Sequence, residues 1–213
     1  MTETTSEKNA YPDAIGFGFA EIATLASMRG GDAAVLSAEA LRVAEYLGNT
    51  DLVSAGASSL VARGLATAEA NGELSVAGPT AAVAAALSSA TRRMEISLLT
   101  AEGGDSVIGI ESQDIHLLFQ PRAYLTWWAM AQRPDLTPAE ANLLVIKEHL
   151  RINPKGGATL RRREEPTGQT LYVKQGQGSW TVGTSSPAQK DISESTGLDD
   201  AALLARIRSI RQD

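Results

Sequence analysis

Between Thr91 and Gln120 the chain passes through three short alternating runs, RRMEISLLT, SVIGIES and DIHLLFQ, separated by Gly103-Gly104-Asp105 and Ser112-Gln113. Alternation puts Met94, Ile96 and Leu98 on one face of a strand. Three strands joined by such short turns predict an antiparallel meander. A second β section follows later: ATLRRREE and QTLYVKQ flank Pro166-Thr167-Gly168, a hairpin turn, and SWTVGT comes after a Gly-Gln-Gly link. The chain is therefore constrained to the α+β class, with mainly antiparallel sheet sections alternating with helices.

Helical signals occupy the rest. Ile15, Phe19, Ile22 and Ala26 recur at helical spacing from Ala14, although Gly16 and Gly18 weaken that helix. Arg29-Gly30-Gly31-Asp32 breaks the chain, and Ala33 to Leu36 reads as a strand or an entry segment. Ser37 is placed as the N-cap of the helix SAEALRVAEYLG, and a second helix runs from Thr50-Asp51 to Arg63, ended by Gly64. Asn71-Gly72 between two short alternating runs is a hairpin signal. Pro79 to Leu87 is an alanine-rich helix opened by proline. Pro121 is expected to start a short helix, PRAYLTWWAMAQ. Thr137-Pro138-Ala139-Glu140 is a well-formed start for another, which Asn153-Pro154 stops. DDAALLARIRSIRQD closes the chain as an amphipathic helix with stripe Leu203, Leu204, Ile207 and Ile210, its acids first and arginines last.

This order predicts a polar, disordered tail over residues 1–12 and one α+β domain over 13–184. A polar linker over 185–197 and a docked C-terminal helix over 198–213 complete the division. No run approaches the roughly 20 apolar residues of a membrane span, and the first residues lack a basic start and an apolar core of signal-peptide type. The expected location is the cytoplasm, with no membrane partner.

Charge narrows the function. A formal net charge of −6 argues against nucleic acid as a partner, because that affinity rests on neutralising phosphates with Lys and Arg. Arg161-Arg162-Arg163 is answered at once by Glu164-Glu165, the pattern of a solvated sheet face. The chain has no cysteine and two histidines, so the usual N/S metal site is not expected. His116 lies on the strand face opposite Ile115 and Leu117, and His149 reads as a helix C-terminal cation. GFGFAE has Glu21 where a dinucleotide loop needs glycine, QGQG opens no helix, and no Gly-x-Ser-x-Gly elbow is present. The sequence thus points away from an enzyme and calls for no cofactor. The pair Trp127-Trp128, beside Tyr124, is the feature best suited to binding, since tryptophan is enriched at interface hot spots.

Two resemblances bear on what is bound. The helices 37–47 and 51–63 with the Asn71-Gly72 hairpin have the order of a winged-helix module. Between Ser37 and Ala90, however, Arg42 and Arg63 face five acids, Glu39, Glu45, Asp51, Glu69 and Glu73, a net of −3 that is wrong for a DNA-facing unit. An acidic winged-helix-like regulator, binding DNA or a protein, is the alternative reading. The second resemblance runs from about residue 33 to the end. SSLVARGLATAEANGELSVAGPTAAVAAALSSATRRMEISLLT, then VIGIESQDIHLLFQP, then TGQTLYVKQGQGSWTVGTSSPAQ, are similar to the EspG family of cytosolic type VII (ESX) secretion chaperones. The middle section is shorter than in that family, and Ser185 to Thr196 reads as an insertion. The resemblance implies an EspG-like fold without catalytic residues. It also implies that the chain holds helical PE/PPE-type substrates soluble through the sheet and adjoining helical part, here His116, Leu118, Tyr124 and Trp127. A homodimer stays open as a further assembly.

Overall fold

A computed structural model describes residues 14–164, 168–186 and 189–213. Strand β1 (Ile15–Gly18) leads into helices α1 (Phe19–Ser27), α2 (Asp32–Ala40) and α3 (Thr50–Ala62). A small hairpin of β2 (Thr67–Ala68) and β3 (Leu74–Ser75) precedes α4 (Gly78–Ser89). A meander of β4 (Arg92–Leu99), β5 (Gly104–Glu111), β6 (His116–Arg122) and β7 (Thr126–Ala131) follows. Helix α5 (Pro138–Ile152) then opens a second meander of β8 (Gly157–Arg162), β9 (Thr170–Gln175), β10 (Trp180–Ser186) and β11 (Gln189–Leu198), closed by α6 (Asp200–Arg211).

The two meanders join into one nine-stranded antiparallel sheet, ordered β1-β7-β6-β5-β4-β8-β9-β10-β11. Their first strands meet at its centre, in register from Met94↔Arg162 to Leu99↔Gly157. The protein is thus α+β, with six α-helices among the described residues beside this sheet and the small hairpin. No described helix is long and apolar enough to cross a membrane.

Helices cover the sheet by halves. On one face α1 to α4 pack over the β1 end, with Ile22, Leu25, Leu60 and Leu87 against Phe17, Ile108, Ile110, Phe119 and Trp127. On the other face α5 and α6 pack over the β11 end, with Ile146, Leu150, Leu203 and Ile207 against Ile96, Val107, Leu160, Leu171 and Val182. In β5 the neighbours Val107 and Ile108 enter opposite cores, as strand alternation requires. Helix α5 starts where its capping box says: the Thr137 hydroxyl accepts the Glu140 N–H at 3.3 Å, and Glu140 accepts the Thr137 N–H at 2.8 Å.

Four sequence expectations need correction. The helix expected from Ala14 is preceded by β1, which pairs with β7 from Ile15↔Ala129 to Gly18↔Thr126; two glycines in four residues disfavour helix there. Ser37 is not an N-cap: α2 begins at Asp32, after Gly31 at φ 88°, so the run 33–36 is helical. Ser37 is instead buried, its hydroxyl 2.7 Å from the Leu87 carbonyl and accepting the Arg93 Nε–H at 3.0 Å. The run 121–132 is not a helix but the end of β6, a tight turn and β7. The stretch 185–197 is no linker, because β11 pairs along β10 from Trp180↔Leu198 to Ser186↔Gln189. The tail 1–12 and the Pro166-Thr167 part of the hairpin turn lie outside the described residues. The closing helix buries Leu203, Ile207 and Ile210, and Leu204 of its expected stripe is half-buried.

Candidate functional site: the open half of the sheet

Because each helical layer covers one half of one face, the β1-β7-β6 strip on the α5/α6 side has no helix on it among the described residues. Register fixes what points there. Leu118 stands opposite Met130, Gln120 opposite Trp128, and Trp128 opposite Gly16. All are half-buried. A side chain at Gly16 would rest on the Trp128 indole, so the glycine keeps that ring uncovered from the β1 side. Trp128 and Met130 border a concavity of about 500 Å³ whose rim includes Gln120, Arg122 and Ala14. Leu118 reaches toward Gly109 and continues the apolar strip to the α5/α6 core.

Polar groups frame this strip on two sides. At the hairpin side Asp105 accepts from Gln120 at 2.7 Å, and Gln120 accepts from Arg122 at 2.7 Å, which fixes all three side chains. At the helical side Arg211, with a fully buried side chain, donates to both Glu111 oxygens at 2.9 and 2.8 Å and to Asn142 at 2.7 Å. This network ties the end of α6 and the start of α5 to β5. A bidentate, charge-assisted arrangement of this kind holds the helical wall beside the open strip in one position.

The turn between β6 and β7 projects beyond the sheet. Tyr124 and Leu125 both adopt left-handed backbone, φ 59° and 54°, and Tyr124 is 96% exposed. Neither is a glycine, so each position stores conformational strain of about 1 kcal/mol or more.

The structure brings together three of the four residues expected from sequence. His116 and Leu118 lie on the open face of β6, with His116 opposite Glu111, and Tyr124 stands at the adjoining turn. Trp127 does not join them: it is 5% exposed, on the opposite face, inside the core under α1 to α4. Its neighbour in the tryptophan pair, Trp128, stands on the open face instead, with Met130 two residues on. Their signal was present in TWWAMA, where reading with a period of two places Thr126, Trp128 and Met130 on one side.

The other uncovered half-face, over β8 to β10, mixes charged groups with the exposed Tyr172. There Glu95 accepts from Arg161 at 2.7 Å and from Arg163 at 3.1 Å. Burial works to raise the Glu95 pKa, but these two guanidiniums outweigh it and leave the group below its ordinary value. Asp200 is also held low, by Lys147 and by the Trp180 indole N–H at 2.7 Å, a contact that fixes α6 to β10. His149 contacts the Leu99 carbonyl at 3.1 Å from the last turn of α5. No three acidic or histidine side chains converge in metal-binding geometry among the described residues. No protein-family model matches the chain, and no curated protein matches it in sequence.

Proposed function

We propose that this chain is a non-catalytic, chaperone-like binding protein that holds a helical type VII secretion substrate soluble in the cytosol. The observation that carries the reading is the uncovered apolar strip of Leu118, Trp128 and Met130 beside the α5/α6 layer. Adjacent strands lie about 4.8 Å apart, so β6 to β1 spans roughly 10 Å, which matches the interaxial spacing of about 8–10 Å between packed helices. One helix of a partner therefore fits as the next member of the layer that α5 and α6 already form. Its apolar face would leave water on binding, which is the driving force for association. Tyr124 and Leu125, at the exposed turn, extend the same surface. The EspG-like order of helix, meander, helix, meander and closing helix supports the same class of partner. The regulator reading is less well supported: Thr50, Asp51, Ser54 and Ser58 on the exposed side of α3 offer no cation for phosphate, and Arg63 is engaged by Glu21.

The test is affinity purification from the native cytosol of the parent and of the Trp128→Ala and Met130→Asp variants. The parent should recover one helical protein in near-equal amount. Each variant should lose it at least tenfold, since a hot-spot side chain contributes about 2 kcal/mol or more. Trp127→Ala is the control with the opposite signature, lowering stability by about 3–5 kcal/mol through the core. Undiminished recovery with both open-face variants would sink the proposal.

A further inference from the structure

An open sheet has two edges, and here they are built differently. At β1 the edge is four residues long, and two of its outward groups are taken: the Gly16 carbonyl accepts from Arg63 at 2.8 Å, and the Gly18 N–H donates to Glu21 at 2.9 Å. Glu21 is itself buried, and is fixed by Ser59 at 2.7 Å and by Arg63 at 2.6 Å. Among the described residues that short edge is largely occupied, which makes it a poor template for further pairing. At β11 the edge is ten residues long and ends the sheet. Among the described residues no side chain or loop bonds the outward backbone groups of Ile192 to Thr196. Alternate N–H and C=O groups of such a strand form a template for another strand.

We propose that two copies of this chain associate through β11, antiparallel, about a two-fold axis at Ser193. This surface is separate from the partner-binding strip at the other end of the sheet. The occupant follows from the asymmetry of the edges. One open edge per chain permits one pairing event, and the largely occupied β1 edge disfavours continuation of the sheet, so pairing a like edge with itself ends at a closed dimer rather than a fibre. The register follows from local structure. The β10–β11 ladder is regular at Val182↔Ser195, Gly183↔Glu194 and Thr184↔Ser193, with irregularities on either side. An axis at Glu194 would set like charges opposite each other, which is destabilising. An axis at Ser195 would set the irregular Gly197, at φ 74°, only two residues from the axis, opposite Ser193 of the second copy. An axis at Ser193 keeps the like charges apart, moves Gly197 four residues from the axis, and sets Ile192, an exposed apolar side chain, opposite Glu194 of the second copy.

The experiment uses the full chain alone. Sedimentation equilibrium across about 1 to 100 μM should show a species near twice the 22.4 kDa of one chain, as expected for an association of micromolar strength. The chain has no cysteine, so a Ser193→Cys variant reports only this contact. Opposed residues of an antiparallel pair have Cα atoms about 4.5–5.5 Å apart, within disulfide reach, and mild oxidation should link the copies. Ser193→Lys, on an exposed side chain, should give a monomer with an unchanged circular dichroism spectrum. A monomer throughout the range would overturn the proposal. So would a dimer that survives Ser193→Lys, or one in which the Ser193→Cys variant stays reduced.

Discussion

Replacing Arg211 with methionine should destabilise the protein by about 3 kcal/mol, and removing its partner as well should restore most of that. The guanidinium is 0% exposed and serves Glu111, Asn142 and Asp213 at 2.7–2.9 Å. Methionine fills similar space but leaves the Glu111 carboxylate, 7% exposed, without its bidentate partner. Breaking a buried pair on one side costs about 3–5 kcal/mol because the remaining charge is left desolvated. Arg92 still stands 3.5 Å from Glu111 and offsets part of the loss, which places the expectation at the lower end. In Glu111→Gln/Arg211→Met neither charge remains, so the double variant should lie within about 1 kcal/mol of the parent, roughly 2 kcal/mol more stable than Arg211→Met alone. Urea unfolding measures this directly: with a slope of about 2–3 kcal/mol/M, the single variant's midpoint falls by roughly 1–1.5 M. A single variant that loses less than about 1 kcal/mol, or a double variant as unstable as the single, would refute the reasoning.

Two further outcomes follow from local geometry. Gly56→Ala should lower the melting temperature, although alanine is the better helix former by about 1 kcal/mol, because a Cβ there would sit 2.2 Å from the Ala20 carbonyl and the overpacking costs about 1–3 kcal/mol. Glu95→Gln should be less stable than the parent at neutral pH, with the gap closing in acid. The folded pKa is depressed below its ordinary value of 4.5, so the ionised group's contribution is fully present above that value and is lost as pH falls through the folded pKa; a gap that stays constant in pH-dependent melts would contradict it.

The parts of the fold with local chemistry were legible. The capping box at Thr137 and Glu140, the Asn71-Gly72 turn and the alternation from Arg92 to Phe119 each specify their element within a few residues. What failed depended on distant partners. Strand β1 exists because β7, more than a hundred residues later, pairs with it, and nothing in IGFG announces that ladder. β11 lies at an edge, where Ser193, Glu194 and Thr196 are all exposed, so it shows no alternation of apolar and polar residues and reads as a linker. In TWWAMA the alanines and the preceding proline suggested helix, whereas tryptophan and threonine favour the pleated surface on which they sit. That single misreading exchanged Trp128 for Trp127 as the surface residue and hid the apolar strip.

The two helical layers share no side chain, and each rests on its own half of the sheet. Only the central strands β4 and β5 are buried along most of their length on both sides. Damage in one core is therefore felt in the other through the sheet, chiefly through β4 and β5 and through β6, whose Leu118 packs against the second core. Losses of stability from substitutions in the two cores should simply sum, while any change in β4 or β5 is registered by both at once.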